Sequence, residues 1–305
     1  MSEGRDRPTL APRTRASLLM VAAAAIWGLT FTAGKVASLE ASPMSATLWR
    51  FVLAGLVLAP LAVKASWGKP RLGLAPMDLP LLLLSGLTGL VMYNYFFIKA
   101  LALIQAGRGS VIVCGSPALI YLGSVIFFGE RLSAVRLAGL ALSVLGTAWA
   151  VSFGRPWALF STGLGRGDLI MLLCPLSWTA YSLLAKLVLR RQGPLAANAW
   201  SVLAAVALLL PLVPLSGGSL AEFSGYGPLT WACLAFLGLG GTALGFTIFY
   251  RGILVLGPHR AAAYINLVPV FGILFSWLML DETPGLALFV GLAMIIMGIR
   301  LVQKY

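Results

Sequence analysis

Residues 86–108 read GLTGLVMYNYFFIKALALIQAGR, and residues 238–260 read GLGGTALGFTIFYRGILVLGPHR. At a constant offset of 152, Gly86 falls on Gly238, Gly89 on Gly241, Phe97 on Phe249, Lys99 on Arg251 and Arg108 on Arg260. The register continues without a gap through Pro117 on Pro269, Glu130 on Glu282, Gly139 on Gly291 and Gly146 on Gly298. Glycine is abundant here, so its coincidences carry little weight. Proline, glutamate and the basic residues are scarcer, and their shared register marks an internal duplication. Both copies lie in strongly apolar sequence, so the duplicated unit is a membrane unit.

Composition agrees. Of 305 residues, 60% are hydrophobic and 10% charged, where a soluble domain carries about 25% charged residues. Mean hydropathy is +0.95. The chain is a polytopic, all-α membrane protein whose first partner is lipid. The net charge of +13 raises nucleic-acid binding, but the basic residues form no cluster with interleaved aromatics. They sit in short loops between apolar runs. Cys114, Cys174 and Cys233 lie inside apolar segments with no C-x-x-C pair, which speaks against a disulfide framework or a zinc site. The single histidine, His259, follows Pro258 in a loop, so a histidine metal cluster is excluded. No cofactor is expected. The N-terminus, with Arg5, Arg7, Arg13 and Arg15 before an apolar run, resembles a signal peptide. It reads here as an uncleaved first span, because its removal would leave one half a helix short.

A spanning helix needs about 20 apolar residues. Ten candidates emerge: 17–36, 43–63, 79–103, 109–129, 134–153, 168–188, 195–214, 228–255, 260–280 and 285–303. The chain divides into a tail at 1–16, a first five-helix unit at 17–153, a linker at 154–167 and a second unit at 168–303. With the N-terminus in the cytoplasm, fifteen lysines and arginines fall in the tails and even-numbered loops, against three outside (Arg108, Arg155, Arg166). That asymmetry places both termini in the cytoplasm. Five spans per unit is an odd number. The second copy therefore enters from the opposite side, and the two units form an inverted repeat suited to alternating access.

In lipid, polar side chains turn toward the bundle interior. The mid-span candidates for contacting a small-molecule substrate are Trp27, Thr30, Tyr93, Asn94, Tyr121, Trp178, Tyr181, Phe246, Tyr264 and Asn266. For each, packing or anchoring at the interface competes with substrate contact. Asn94 and Asn266 stand out, because a buried amide needs partners. Pro117 and Pro269 sit at matching depth and would kink their spans as gating elements or simply for packing. Lys35, Lys99 and Arg251 read as snorkelling side chains near span ends. Arg50 lies deeper, about 10 Å into the second span at 1.5 Å per residue. It would meet a substrate carboxylate, or pair with Glu40 or Glu282, and the ion pair is the favoured reading. All nine acidic residues lie in loops or at span ends. The missing midplane carboxylate points to facilitated transport or an unusual coupling route, and away from an organic-cation pump. Gly139 and Gly146, like Gly291 and Gly298, lie on one helix face, so spans five and ten read as scaffold or dimer contact.

These residues resemble the drug/metabolite transporter superfamily, and within it the ten-helix members built from two EamA domains. The resemblance rests on Ala25-Ile26-Trp27-Gly28 with Phe31, on Arg50-Phe51, and on Ser116-Pro117-Ala118 running to Gly129-Glu130-Arg131-Leu132. The second copy adds Ser177-Trp178, Pro269-Val270-Phe271 and Asp281-Glu282. It covers about 17–300. The resemblance implies a secondary transporter of the inner (plasma) membrane, monomeric or homodimeric, with a central cavity between the halves and spans five and ten at the periphery. It implies export of a small metabolite, with the aromatic candidates favouring an amino acid, including an aromatic one. Efflux of drugs or other metabolites is the alternative. The basic pairs of the sugar-phosphate branch are not evident. The membrane-embedded glutamate of the four-helix multidrug relatives is missing from Met20–Thr32. A membrane enzyme would need a catalytic cluster, and neither H-E-x-x-H nor G-x-S-x-G occurs. A non-transporting sensor or assembly subunit would need a soluble domain, and no loop is long enough for one.

Overall fold

The computed structural model describes residues 12–66, 78–129, 133–158, 164–189, 192–256 and 264–304. Glu130, Arg131, His259 and Arg260, with several loop basic residues (Lys69, Arg71, Arg190, Arg191), lie outside these, as does most of the tail. The described residues are helical, with no strand among them. Among the described residues ten long helices follow one another: α1 Pro12–Ala37, α2 Pro43–Ser66, α3 Asp78–Leu101, α4 Ala106–Phe128, α5 Ala134–Val151, α6 Arg166–Val188, α7 Pro194–Leu215, then α8 in three consecutive segments Pro228–Ala235, Phe236–Leu244 and Gly245–Leu256, α9 Val268–Leu280 and α10 Leu286–Lys304. Eight are long and apolar enough to cross a bilayer, and α9 and α10 contain shorter apolar stretches. Large apolar side chains such as Leu56, Ile126, Phe127 and Met297 are exposed on the outside of the bundle, as a lipid-facing surface requires.

The packing has the two-fold character of an inverted repeat. Equivalent helices pair directly, α5 with α10 and α2 with α7. The remaining contacts come in matched sets: α1 packs on α8 and α9, and α6 packs on α3 and α4. The α5–α10 pair is backbone against backbone. A Cβ added at Gly146 would stand 2.7 Å from the Gly291 carbonyl oxygen, and one at Gly291 would stand 2.6 Å from that of Gly146. Only glycine permits such an approach. The glycine faces read from the sequence therefore join two helices of one chain.

The same irregularities recur in both copies. α3 widens into a π-helical stretch at Gly86–Met92, and α8 does so at Phe236–Leu244. α4 breaks at Cys114–Gly115, and the helix restarts at Ser116 with Pro117 in its first turn. Ahead of α9 the break falls at Asn266–Leu267, and Pro269 holds the matching place. These prolines are thus not mid-helix kinks. Each sits in the first turn of a fresh segment, where a missing N–H costs nothing and the fixed φ suits the helix.

At the end of the bundle opposite the chain termini, four charged contacts cross from one half to the other. Glu40 accepts from the Gly227 N–H at 2.8 Å and the Thr230 hydroxyl at 2.7 Å, at the start of α8. Glu222 accepts from the Ser42 N–H at 2.6 Å and its hydroxyl at 2.7 Å, at the start of α2. Glu282 accepts from the N–H groups of Ala106 and Gly107 at 3.0 and 3.3 Å, at the start of α4. Each carboxylate thus caps a helix N-terminus of the opposite half, where free N–H groups and the helix dipole favour negative charge. The fourth contact is the Arg108–Asp168 pair. Arg108 was expected in a loop but is buried within α4. It donates through Nε and Nη2 to Asp168 at 2.7 Å each, and to the Val151 carbonyl. Removing one partner of a buried pair leaves an uncompensated charge. Asp168→Asn should therefore lower the unfolding free energy by about 3–5 kcal/mol, read as a drop in thermal midpoint in detergent. The double substitution Arg108→Met with Asp168→Leu should recover most of it.

Candidate functional site

The widened turn of α8 brings the two halves together at the centre of the molecule. A Cβ at Gly238 would lie 2.6 Å from the Arg50 carbonyl oxygen on α2, and one at Gly241 would lie 2.8 Å from Thr30 Cγ2 on α1. The first copy repeats this. A Cβ at Gly86 would lie 3.1 Å from the Ser201 carbonyl oxygen on α7, and one at Gly89 would lie 2.2 Å from the Tyr181 ring on α6. The glycines shared by the two copies therefore let each π-helical turn nest against two helices of the other half. Such turns recur at functional sites because they redirect carbonyls and side chains. Here the Gly241 carbonyl accepts from the Trp27 indole N–H at 2.9 Å.

Around these turns runs a chain of aromatic rings. Trp27 of α1 meets Phe246 of α8 at 5.3 Å between centroids, and Phe249 at 5.4 Å. Trp178 of α6 meets Phe246 at 5.9 Å, Tyr93 of α3 at 5.5 Å and Tyr181 at 5.1 Å. Tyr93 continues to Phe97 at 5.9 Å and Phe97 to Phe31 at 5.0 Å. Trp27 of α1 and Trp178 of α6 each pack on an aromatic side chain of the opposite half. Five expected contact residues, Trp27, Tyr93, Trp178, Tyr181 and Phe246, are thereby joined in one cluster. Thr30 borders it, donating to the Trp27 carbonyl at 2.5 Å.

The other candidates are placed differently. Asn94 is buried and donates back to the Leu90 carbonyl at 2.8 Å. Its Oδ1 has no partner among the described residues, and neither does the Oδ1 of buried Asn266 at the α9 break. Tyr264 precedes that break and is half-buried. Tyr121 lies toward α5, where the Arg136 guanidinium sits 5.1 Å from its ring and 3.4 Å from its hydroxyl, away from the aromatic cluster. Lys35 donates to the Ile104 carbonyl at 2.8 Å and Lys99 to the Tyr95 hydroxyl at 2.9 Å.

Arg50 departs most from expectation. It was expected to pair with Glu40 or Glu282, but both carboxylates are committed to helix N-termini. Arg50 is 8% exposed, and its Nε donates to Thr242 Oγ1 at 3.1 Å. Among the described residues no carboxylate lies within 4.0 Å of it. The reading from sequence missed Thr242 as its partner, and Phe249 as a member of the aromatic cluster. The offset of 152 aligns Phe249 with Phe97, which was the available signal for the second.

A cavity of about 230 Å³ lies elsewhere, among α4, α5 and α6, lined by apolar residues including Ile112, Leu119, Val144 and Leu172. None of its lining residues is charged, and none belongs to the aromatic cluster.

The sequence profile of the EamA-like transporter family matches residues 14–152 and again 165–303. The chain belongs to this family. This EamA transporter is 27% identical over 289 residues to an uncharacterized transporter of Archaeoglobus fulgidus, covering 94% of this chain and 97% of the other. It is 25% identical to a probable terminal-alkyne amino-acid exporter of Streptantibioticus cattleyicolor, over 95% and 94% of the two chains. A riboflavin transporter of Rhizobium johnstonii is 31% identical over 205 residues, 66% of this chain and 62% of that one. A solved crystal structure superposes with a TM-score of 0.65 at 21% identity, over 95% and 97% of the chains, and shares the fold.

If the aromatic cluster contacts substrate, Trp178→Ala and Trp27→Ala should each raise the half-saturating substrate concentration about ten-fold or more, since removing an aromatic contact and its buried area is worth at least ~1.5 kcal/mol. Tyr121→Phe should leave it unchanged. Counterflow in liposomes, normalised to folded protein, checks both.

Proposed function

We propose that this transporter exports a small amino acid, one with an aromatic or bulky apolar side chain, across the inner (plasma) membrane by alternating access. The observation that carries the reading is the aromatic cluster of Trp27, Tyr93, Trp178 and Phe246. It is contributed by α1, α3, α6 and α8, two helices from each half. A substrate held there touches both halves at once, which is the position from which binding can couple to their relative motion. The amino-acid exporter among the relatives points the same way. The test is counterflow of labelled phenylalanine and leucine into liposomes preloaded with unlabelled amino acids, with and without a pH gradient. Saturable exchange indifferent to the gradient is expected. Loss of exchange for every amino acid would sink the substrate class, and dependence on the gradient would sink the facilitated mode. The riboflavin-transporting relative motivates a second reading, a flat heteroaromatic substrate, and riboflavin belongs in the same panel.

On this reading both termini are cytoplasmic, and the end bearing the four charged contacts faces outward. Because each contact joins one half to the other, together they hold that end closed, and outward opening must break them. The Gly227 N–H, and after it the Thr230 hydroxyl, holds the Glu40 carboxyl below the usual carboxylate range. A depressed value means the contact is present above the ordinary carboxylate pKa and is lost only as pH falls through the lowered one. Wild-type thermal stability should therefore be flat from about pH 7 to 5 and fall below about pH 4. Glu40→Gln should remove part of that fall. In a cysteine-free background, an Ala46→Cys probe beneath the closure should react faster with an impermeant thiol reagent added outside when Glu40→Gln and Glu222→Gln are combined. Equal labelling rates would argue against closure by these contacts.

A further inference from the structure

We propose that Arg50, held by Thr242, is a carboxylate-binding subsite, and that the transporter selects its substrate by the carboxylate rather than by the ammonium group. The inference rests on the amino-acid reading above and deepens it.

Arg50 projects from α2 into the junction with the π-helical turn of α8. A Cβ at Gly241 would come within 3.4 Å of its Nη2, so the guanidinium lies against bare backbone there. Its Nε is fixed by the Thr242 hydroxyl at 3.1 Å. That hydroxyl also lies 3.1 Å from the Leu237 carbonyl, to which it donates, so Thr242 is held by its own helix. The adjacent Phe51 ring lies 5.7 Å from the guanidinium carbon. Among the described residues nothing else accepts a hydrogen bond from the guanidinium. An arginine presents five donors in a planar fork that matches a carboxylate. This one is nine-tenths buried with one neutral bond, and a buried cation left so is costly unless a counter-charge arrives. The acids that sequence reading offered as partners are engaged elsewhere.

The subsite adjoins the aromatic cluster. Its link to the cluster is Gly241, and within the cluster Tyr93 packs on Trp178 at 5.5 Å. Gly241 touches Thr30 on one side, and its carbonyl holds Trp27. A small molecule with its carboxylate on Arg50 would therefore lay its apolar part along Tyr93, Trp178 and Trp27. No acidic side chain among the described residues reaches this region. The six described acids, Glu40, Asp78, Asp168, Glu222, Asp281 and Glu282, all sit at helix ends or in loops. The site thus supplies a counter-charge for a carboxylate and none for an ammonium.

The test uses the full chain in liposomes, following counterflow of labelled phenylalanine against competitors that dissect it. 3-Phenylpropionate keeps the carboxylate and lacks the amine, while phenethylamine keeps the amine and lacks the carboxylate. The wild type should be inhibited by 3-phenylpropionate nearly as well as by phenylalanine, and not by phenethylamine. Arg50→Gln should weaken both carboxylates by about 10- to 100-fold, the range expected for a charge-assisted hydrogen bond. Arg50→Lys should recover part of that loss, and Thr242→Val should give a smaller one. If Arg50→Gln does not fold, the wild-type competition pattern still decides. Inhibition by phenethylamine but not by 3-phenylpropionate overturns the proposal. So does unchanged carboxylate affinity in a folded Arg50→Gln protein, and there the amino-acid reading survives. Arg50-dependent exchange of 3-phenylpropionate without exchange of any amino acid sinks the amino-acid reading and leaves the carboxylate subsite standing. Failure of every carboxylate to bind or exchange overturns both.

Discussion

Irregular backbone cannot face hydrocarbon, because lipid offers no partner for a freed N–H or carbonyl. This constraint governs the molecule. Both π-helical turns are walled in by helices of the opposite half, and these seams close only because glycine stands at the points of contact. Gly238 lies against the α2 backbone and Gly86 against that of α7. The position of the aromatic cluster follows from this. The widened turns lie where the halves meet, so the side chains they present, Tyr93 and Phe246 above all, point into the shared centre.

The charged groups divide into two kinds. At the end opposite the termini, Glu40, Glu222, Glu282 and the Arg108–Asp168 pair are satisfied in full, each by a group from the other half. Carboxylates on helix N-termini hold loops in register without long side chains spanning the gap. In the interior, Arg50 carries one neutral hydrogen bond. The contrast is between a saturated rim whose contacts join the two halves and a centre where a buried charge has one neutral partner.

The family relation and the geometry speak to different questions. The profile match over both halves assigns the transporter family, and relatives named for different substrates, an amino acid and riboflavin, indicate that the family alone does not dictate cargo.

Much was legible from the chain alone, because it depended on local composition or on register. Apolar runs of spanning length marked the helices. The offset of 152 marked the repeat, and five spans per copy made it inverted. The glycine faces of α5 and α10 were legible as close-packing faces, and only the fold showed that they meet each other within one chain. Trp27, Tyr93, Trp178, Tyr181 and Phe246 could be named as interior residues by the cost of polar groups in lipid, but not as neighbours. Tertiary structure alone decided their meeting, because ring contacts between α1, α3, α6 and α8 depend on the two-fold packing of the halves. It also decided the partner of Arg50. From sequence, Glu40 and Glu282 were the nearest acids of the right charge. In the fold both are drawn to helix N-termini that chain folding brings from the other half, and no local pattern encodes which N–H groups will be free there. The charges were written in the sequence, and their pairing was settled by which helix ends the fold left unsatisfied.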